Sequence, residues 1–293
     1  MNLLDNWDFT NPVNQRGKST YADEGYTIDR WRKIGGTVSI NNNRLNLSGA
    51  HSSTSYIVDI RQLLDSDTIS AIAGKTVTLS VDCAVNSISG EFYISLANDT
   101  KKEYPAPVFT SGFSRKIISY TQRIPSNWES TDSVRFTIGT NGTKVNADIY
   151  AAKLELGEVS TLKNDALGMS YDKELYKCQK YLQIIRNESN NEYVTIFDSV
   201  PWQVTRDFIA YRLIRPMRKT PVLTYVNIRA QTANGYFYPI NIYIEQDDTI
   251  ISEDVPLVKL RIESADNTNY PLPNEAYLMN IGAKGYIMFS ADL

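Results

Sequence analysis

At 293 residues the chain exceeds what one core usually organises, about 100–200 residues per domain, so two domains are expected. Hydrophobic residues make up 42% and charged residues 22%, which excludes the apolar-poor, charge-rich regime of disorder. A net charge of -3 with both signs interspersed supplies no basic stripe, so nucleic acid is not an expected partner.

The opening stretch, Met1 to Phe9, lacks the charged-then-apolar order of a secretory signal, and no apolar run reaches the ~18–20 residues that span a bilayer. Synthesis in a cytoplasm, without a signal peptide or membrane insertion, is the expectation. From Thr37 to about Leu156 the pattern has period two, as in strands with one buried face. Val77, Leu79 and Val81 alternate with Thr76, Thr78 and Ser80; Phe92, Ile94 and Leu96 alternate with Tyr93 and Ser95; Val134, Phe136 and Ile138 repeat the scheme. Asn41-Asn42-Asn43, Ala73-Gly74-Lys75, Ser89-Gly90 and Asn141-Gly142 are the turn formers between them. About eight such strands fit a jelly roll better than a seven-stranded immunoglobulin-like domain.

His51, the one histidine, sits in Ala50-His51-Ser52-Ser53 with no nucleophile elbow around it, so triad chemistry has no suitable imidazole and a surface residue is expected. Cys83 and Cys178 fall in segments assigned to different units, which points to two reduced, buried thiols and away from a disulfide framework. Between Leu162 and Tyr181 the spacing changes: Tyr171, Leu175, Cys178 and Leu182 recur at three and four, which predicts a short amphipathic helix acting as a connector. Alternation returns from Tyr193, in Val222, Thr224, Val226 and Ile228, then in Ile240, Ile242 and Ile244, then in Val258, Leu260 and Ile262, and finally in Tyr286-Ile287-Met288-Phe289. Pro216, Pro221, Pro256, Pro271 and Pro273 mark edges or loops of this second β domain. The predicted fold is therefore all-β: two β-sandwich, jelly-roll-like domains over 1–160 and 187–293, joined by a short helical connector over 161–186.

The opening Asn2-Leu3-Leu4-Asp5-Asn6-Trp7-Asp8-Phe9, with Asn14-Gln15-Arg16-Gly17 and Tyr26-Thr27-Ile28-Asp29-Arg30-Trp31, resembles the start of the carbohydrate-binding-module-like jelly roll of bacteriophage and prophage tail proteins. Ala151-Ala152-Lys153-Leu154-Glu155-Leu156-Gly157 resembles the strand on which that domain closes, and Glu174-Leu175-Tyr176-Lys177-Cys178-Gln179-Lys180-Tyr181 is similar to the run leading into the receptor-binding end of many tail fibres. Arg215-Pro216-Met217-Arg218-Lys219-Thr220-Pro221 and the closing Phe289-Ser290-Ala291-Asp292-Leu293 continue the likeness. Lys180 stands where the family has arginine, and Tyr236 to Tyr243 does not align. The resemblance implies a non-catalytic receptor-binding protein of the phage tail. Such a protein sits in the virion as a homotrimer among other tail proteins and attaches to host cell-surface glycan. It carries over no binding residues, because the matching motifs are architectural.

Candidate ligand residues are the aromatics among loop formers of the second domain, Trp202, Tyr236, Tyr238 and Tyr270, together with Asn241; edge packing or a subunit interface explains them equally well. Trp7, Phe9, Tyr26 and Trp31 could together form an aromatic platform for a sugar, but they belong to the constant opening, and a structural role is expected for Trp7, Phe9 and Trp31. A glycan depolymerase is the alternative function, and a purely structural tail or baseplate subunit is another. Asp247-Asp248 and Glu253-Asp254 are adjacent residues in expected turns, whereas a glycosidase needs two carboxyls facing across a groove. No cofactor is expected, and Asp8 with Asp148 forms a weak candidate for a structural Ca²⁺, as in related modules.

Overall fold

The computed structural model describes residues 1–50, 58–105, 107–109, 111–142, 144–165, 168–188, 194–201, 206–213, 217, 221–232, 237–244, 257–264 and 276–291. They form two units, Met1–Cys178 and Gln179–Leu293.

The strands of unit 1 are β1 (Thr20–Tyr21), β2 (Gly25–Tyr26), β3 (Arg32–Ile34), β4 (Thr37–Ile40), β5 (Leu45–Ala50), β6 (Val58–Leu63), β7 (Thr76–Ser89), β8 (Phe92–Asn98), β9 (Val108–Phe109), β10 (Phe113–Arg123), β11 (Val134–Thr140) and β12 (Lys144–Leu156). They pair antiparallel into a first sheet, β1-β4-β5-β12-β7-β10, and a second, β2-β3-β6-β11-β8-β9. The period-two apolar sets meet between them. Val77, Leu79, Val81 and Cys83 from the first sheet share one core with Phe92, Ile94, Leu96, Val134, Phe136 and Ile138 from the second. Unit 1 is thus a two-layer β-sandwich.

The aromatic opening is built into that core. Phe9 and Trp31 are fully buried and meet edge to face at 5.0 Å, while Trp31 meets Phe136 at 6.2 Å. The Trp31 indole N–H donates to Asn6 O at 2.9 Å. Asn6 in turn bonds Val13 and Asp29 through its side chain, so the motif ties three stretches of chain together. Helix α1 (Ser66–Ile72), which alternation did not announce, starts where Asp65 accepts from Thr68 N and buries Ile69 and Ile72.

Helix α2 (Tyr171–Cys178) lies within the expected helical stretch and is fastened to unit 1 by Glu174, whose Oε2 accepts from Asn6 N at 2.9 Å. Leu182 does not prolong it; the chain leaves the helix and enters β13 (Leu182–Arg186), where Leu182 pairs with Ser290. The stretch 161–186 holds a 3-10 turn at Leu162–Asp165, then α2 and β13, and the division between units falls inside it. Both cysteines are free, buried and in unit 1; burial pushes the Cys83 thiol up to about 12 and raises Cys178 as well.

In unit 2, β14 (Val194–Pro201), β15 (Arg206–Arg212), β16 (Val222–Thr232), β17 (Phe237–Ile244), β18 (Leu257–Ser264) and β19 (Ala276–Ser290) join β13 in the order β13-β19-β16-β17-β18-β15, with β14 also on β19. β17 pairs with β16 through Phe237, Tyr238 and Pro239, then with β18 from Ile240 onward. Pro239, which has no N–H to give, sits where the pairing changes partner. Ile228, Met279, Ile281 and Phe289 on one half share a core with Ile240, Ile242 and Leu260 on the other, so the sheet folds over onto itself. The expected Val222, Thr224, Val226, Ile228 face is broken: the first three are exposed and Ile228 is buried. A bulge at Asn227, φ 56°, shifts the register and turns Leu223 and Tyr225 toward the core instead. Among the described residues no helix is long and apolar enough to cross a membrane.

Candidate functional site

Of the sequence-derived ligand candidates, Trp202, Tyr236 and Tyr270 lie outside the described residues, as do His51 and the pairs Asp247-Asp248 and Glu253-Asp254. Tyr238 is placed by its backbone on β17, opposite Ala230. Asn241 is half-buried and engaged within the fold, its Oδ1 accepting from Tyr225 OH at 3.2 Å.

The two aspartates suggested for Ca²⁺ are each occupied by protein donors. Asp8 accepts from Thr10 N, Thr10 Oγ1 and Met169 N. Asp148 accepts from Asn46 and Asn86 and pairs with Arg44 at 2.9 Å. Burial alone would raise the Asp148 carboxyl, but those three partners outweigh it and hold the group below its usual range. Among the described residues no cluster of three or more His, Cys, Asp or Glu side chains is arranged to hold a metal ion.

A different constellation forms on the second sheet of unit 1. Because Phe136 and Ile138 of β11 face the core, Arg135, Thr137 and Gly139 face outward. The register sets Thr137 between Arg61 and Ser95, Gly139 between Asp59 and Tyr93, and Arg135 between Leu63 and Ala97. Tyr104, from the loop between β8 and β9, adds a wall. Tyr93, Ser95, Tyr104, Arg135, Thr137 and Asn141 are among the residues around a hollow of about 260 Å³.

The charges at its edge are matched. Arg61 grips Asp59 with Nε at 3.1 Å and Nη2 at 2.6 Å, Tyr93 OH reaches the same carboxylate at 3.4 Å, and Arg135 pairs with Asp99. Burial raises the Asp59 carboxyl above the usual range although Arg61 opposes it, and burial also raises the Tyr93 phenol, which therefore stays protonated as a donor. Gly139 has to be glycine: a Cβ there would come 2.4 Å from Asp59 Cβ. Arg135 also lies 5.8 Å above the Tyr104 ring.

Thr137 is the exception. It is 2% exposed, lines the hollow, and its Oγ1 has no hydrogen-bond partner. A buried hydroxyl without a partner costs about 1–3 kcal/mol, and native folds rarely tolerate one without a use.

On the opposite face of the sandwich a larger hollow of about 340 Å³ is lined by Trp7, Asp8, Arg115, Tyr150 and Asp165, among others. Asp8, Asp82, Arg115 and Asp165 on its lining are already engaged. Arg115 forks onto Asp82 at 2.7 Å and stacks 3.7 Å over Tyr150, and Asp165 takes Lys153 at 2.7 Å. Size favours this cleft over the hollow on the second sheet, whereas unsatisfied chemistry favours the second sheet, and the latter is the better guide to a ligand.

The sequence contained part of this signal, since Tyr93 and Ser95 are the outward partners of the Phe92, Ile94, Leu96 alternation. What it lacked was the pairing that sets Arg61, Thr137 and Ser95 side by side, and the loop that carries Tyr104.

No family model matches the chain, and no curated protein does. Similar solved structures include the CBM22-1 xylan-binding domain of Xyn10C from Paenibacillus barcinonensis, at 12% identity and TM-score 0.34 over 55% of this chain and 97% of that one. The N-terminal cellulose-binding domain of Cellulomonas fimi β-1,4-glucanase C matches at 12% identity and TM-score 0.33, over 49% of this chain and 97% of that one. The tandem CBM22-1–CBM22-2 domain of the Paenibacillus barcinonensis Xyn10C aligns with 99% of this chain and 98% of its own, at 9% identity and TM-score 0.36. The fold class rests on the strand pairing and shared cores described above and takes nothing from these likenesses.

Proposed function

We propose that unit 1 is a non-catalytic glycan-binding β-sandwich whose ligand lies on the outward face of β8 and β11, and that the protein serves as a receptor-binding component of a phage tail. The observation that carries the glycan reading is the buried, unpartnered Thr137 hydroxyl beside Tyr93 and Tyr104. Aromatic rings suit the apolar C–H faces of sugars, and a hydroxyl that both donates and accepts suits their OH groups. Arg135 on the hollow is matched by Asp99, and Arg61, beside Thr137 on the next strand, by Asp59, which leaves the face close to charge balance and suited to a hydroxyl-rich ligand.

Binding is favoured over hydrolysis because no carboxylate is among the residues lining the hollow. Glycoside cleavage needs two, roughly 5–9 Å apart across the scissile bond. The phage role and the attachment to host cell-surface glycan as a homotrimer with other tail proteins are supported by the resemblance in the opening, closing and connector motifs. Shallow single-site contacts are weak, and three copies on one axis raise apparent affinity by ~10²-fold or more where geometry permits.

The test uses the full chain on a glycan array and on host cells. Wild type is expected to bind a restricted set of glycans and to compete with phage adsorption, and Tyr104→Ala to lose at least ten-fold in affinity. Release of oligosaccharide from a bound polymer would establish the depolymerase instead. Absence of any glycan or cell binding would leave the structural tail subunit.

A further inference from the structure

The guanidiniums of Arg16, Arg30 and Arg44 are all engaged: Arg30 through Asp5 and Leu63 O, Arg16 beside Asp29 at 3.8 Å, and Arg44 with its Nε 2.9 Å from Asp148. Among the described residues two buried side-chain oxygens stay without a hydrogen-bond partner, Thr137 Oγ1 and Gln122 Oε1, and each lines a hollow. The two hollows share one wall, Tyr104.

Gln122 stands on β10 opposite Val77, and its Nε2 donates to Leu96 O on β8 at 3.4 Å. That bond sets the orientation of the amide and leaves Oε1, an acceptor only, without a donor. The hollow it lines measures about 550 Å³ and is walled by Tyr104, Pro105, Tyr120, Pro125 and Trp128, with Glu103 and Arg123 also on its lining. Trp128 is 4% exposed and its indole N–H is already taken by Glu103 Oε2 at 2.7 Å, so the ring offers support without asking for a partner. Tyr104 is 55% exposed and stands between the two hollows.

We infer that the binding groove continues past Tyr104 into a second subsite, which takes a further residue of an oligosaccharide and presents Gln122 Oε1 to one of its hydroxyl or amide N–H donors. The inference rests on the glycan reading of the first hollow. An acceptor with no donor, beside aromatic and proline walls, matches a sugar ring: apolar faces for the walls and a polar hydrogen for the oxygen. Buried polar groups that impair the free fold and are satisfied on binding mark functional sites.

The experiment measures binding of the full chain to immobilised cello-, xylo-, manno- and chito-oligosaccharides and bacterial-envelope oligosaccharides of one to six residues, with melting followed in parallel. Wild type is expected to bind more tightly as the oligosaccharide lengthens past the first hollow. Gln122→Met keeps the length of the side chain and removes the acceptor. It should flatten that rise by at least ten-fold at the longer members, leave the shortest bound members unchanged, and raise the melting temperature by roughly 2–4 °C. A length-independent affinity, a Gln122→Met protein that binds long oligosaccharides as wild type does, or one that melts lower would overturn the second subsite while leaving the first. Failure of wild type to bind any member would overturn both.

Discussion

The two outer faces of unit 1 use their polar residues in opposite ways. On the first sheet, Asp82 closes on Arg115, Asp148 on Arg44, Asn46 and Asn86, Thr78 on Thr121 and Gly157 O, and Lys153 on Asp165 and Thr161. On the second sheet the charged groups close in the same manner, yet Thr137 remains buried and open. A self-satisfied polar face stabilises the fold, whereas a face holding an unanswered group gives up stability that a ligand restores. The size of a hollow does not separate the two cases; hydrogen-bond accounting does.

The contrast can be broken most forcefully on the self-satisfied face. Lys153 is 1% exposed and serves Asp165, Thr161 and, at 3.6 Å, Glu155. Lys153→Ala leaves Asp165 without its cation and Glu155 with only its Thr161 donors, and is expected to cost about 3–5 kcal/mol in urea unfolding. A loss near zero would mean that this network does not support the sheet.

Thr137→Val moves the other way. It removes the open hydroxyl at constant shape, so a gain of about 1–3 kcal/mol together with loss of glycan binding is expected, measured by urea unfolding and array signal. A loss of stability would show that the hydroxyl has a partner within the fold.

A titration sharpens the same comparison. The depressed Asp148 carboxyl contributes stability that is present above its unfolded pKa and is lost as pH falls through its lower folded value. Asp148→Asn should therefore melt lower at pH 7 and show a flatter dependence of melting on pH below about pH 4. A variant whose curve parallels wild type would remove Asp148 from the acid response. Arg115→Ala is expected to have the smallest effect, about 0–1 kcal/mol, because the Arg115 side chain is 55% exposed and its pair with Asp82 is screened.

Much of the scaffold was legible because strand alternation is a local property. Val77, Leu79 and Val81, or Phe92, Ile94 and Leu96, announce an inward face within a few residues, and the opening aromatics proved to be core at Phe9 and Trp31. The site was not legible in the same way. Thr137 becomes notable only once β11 lies between β6 and β8, and Gln122 only once β10 and β8 approach across the sandwich; both depend on contacts remote in sequence. Two local misreadings have equally physical causes. The bulge at Asn227 inverts the exposed face of β16, and pairing of Leu182 with Ser290 ends the helical spacing that Tyr171, Leu175 and Cys178 had begun.

The central claim, that ligand lies on the second sheet of unit 1, is tested most directly by backbone amide chemical-shift mapping of the full chain titrated with the strongest array hit. Shifts are predicted at Tyr93, Ser95, Arg135 and Thr137, extending to Gln122 for longer oligosaccharides, with Asp82, Arg115 and Tyr150 unmoved. Perturbations confined to Asp82, Arg115 and Tyr150, or to strands of unit 2, would contradict it.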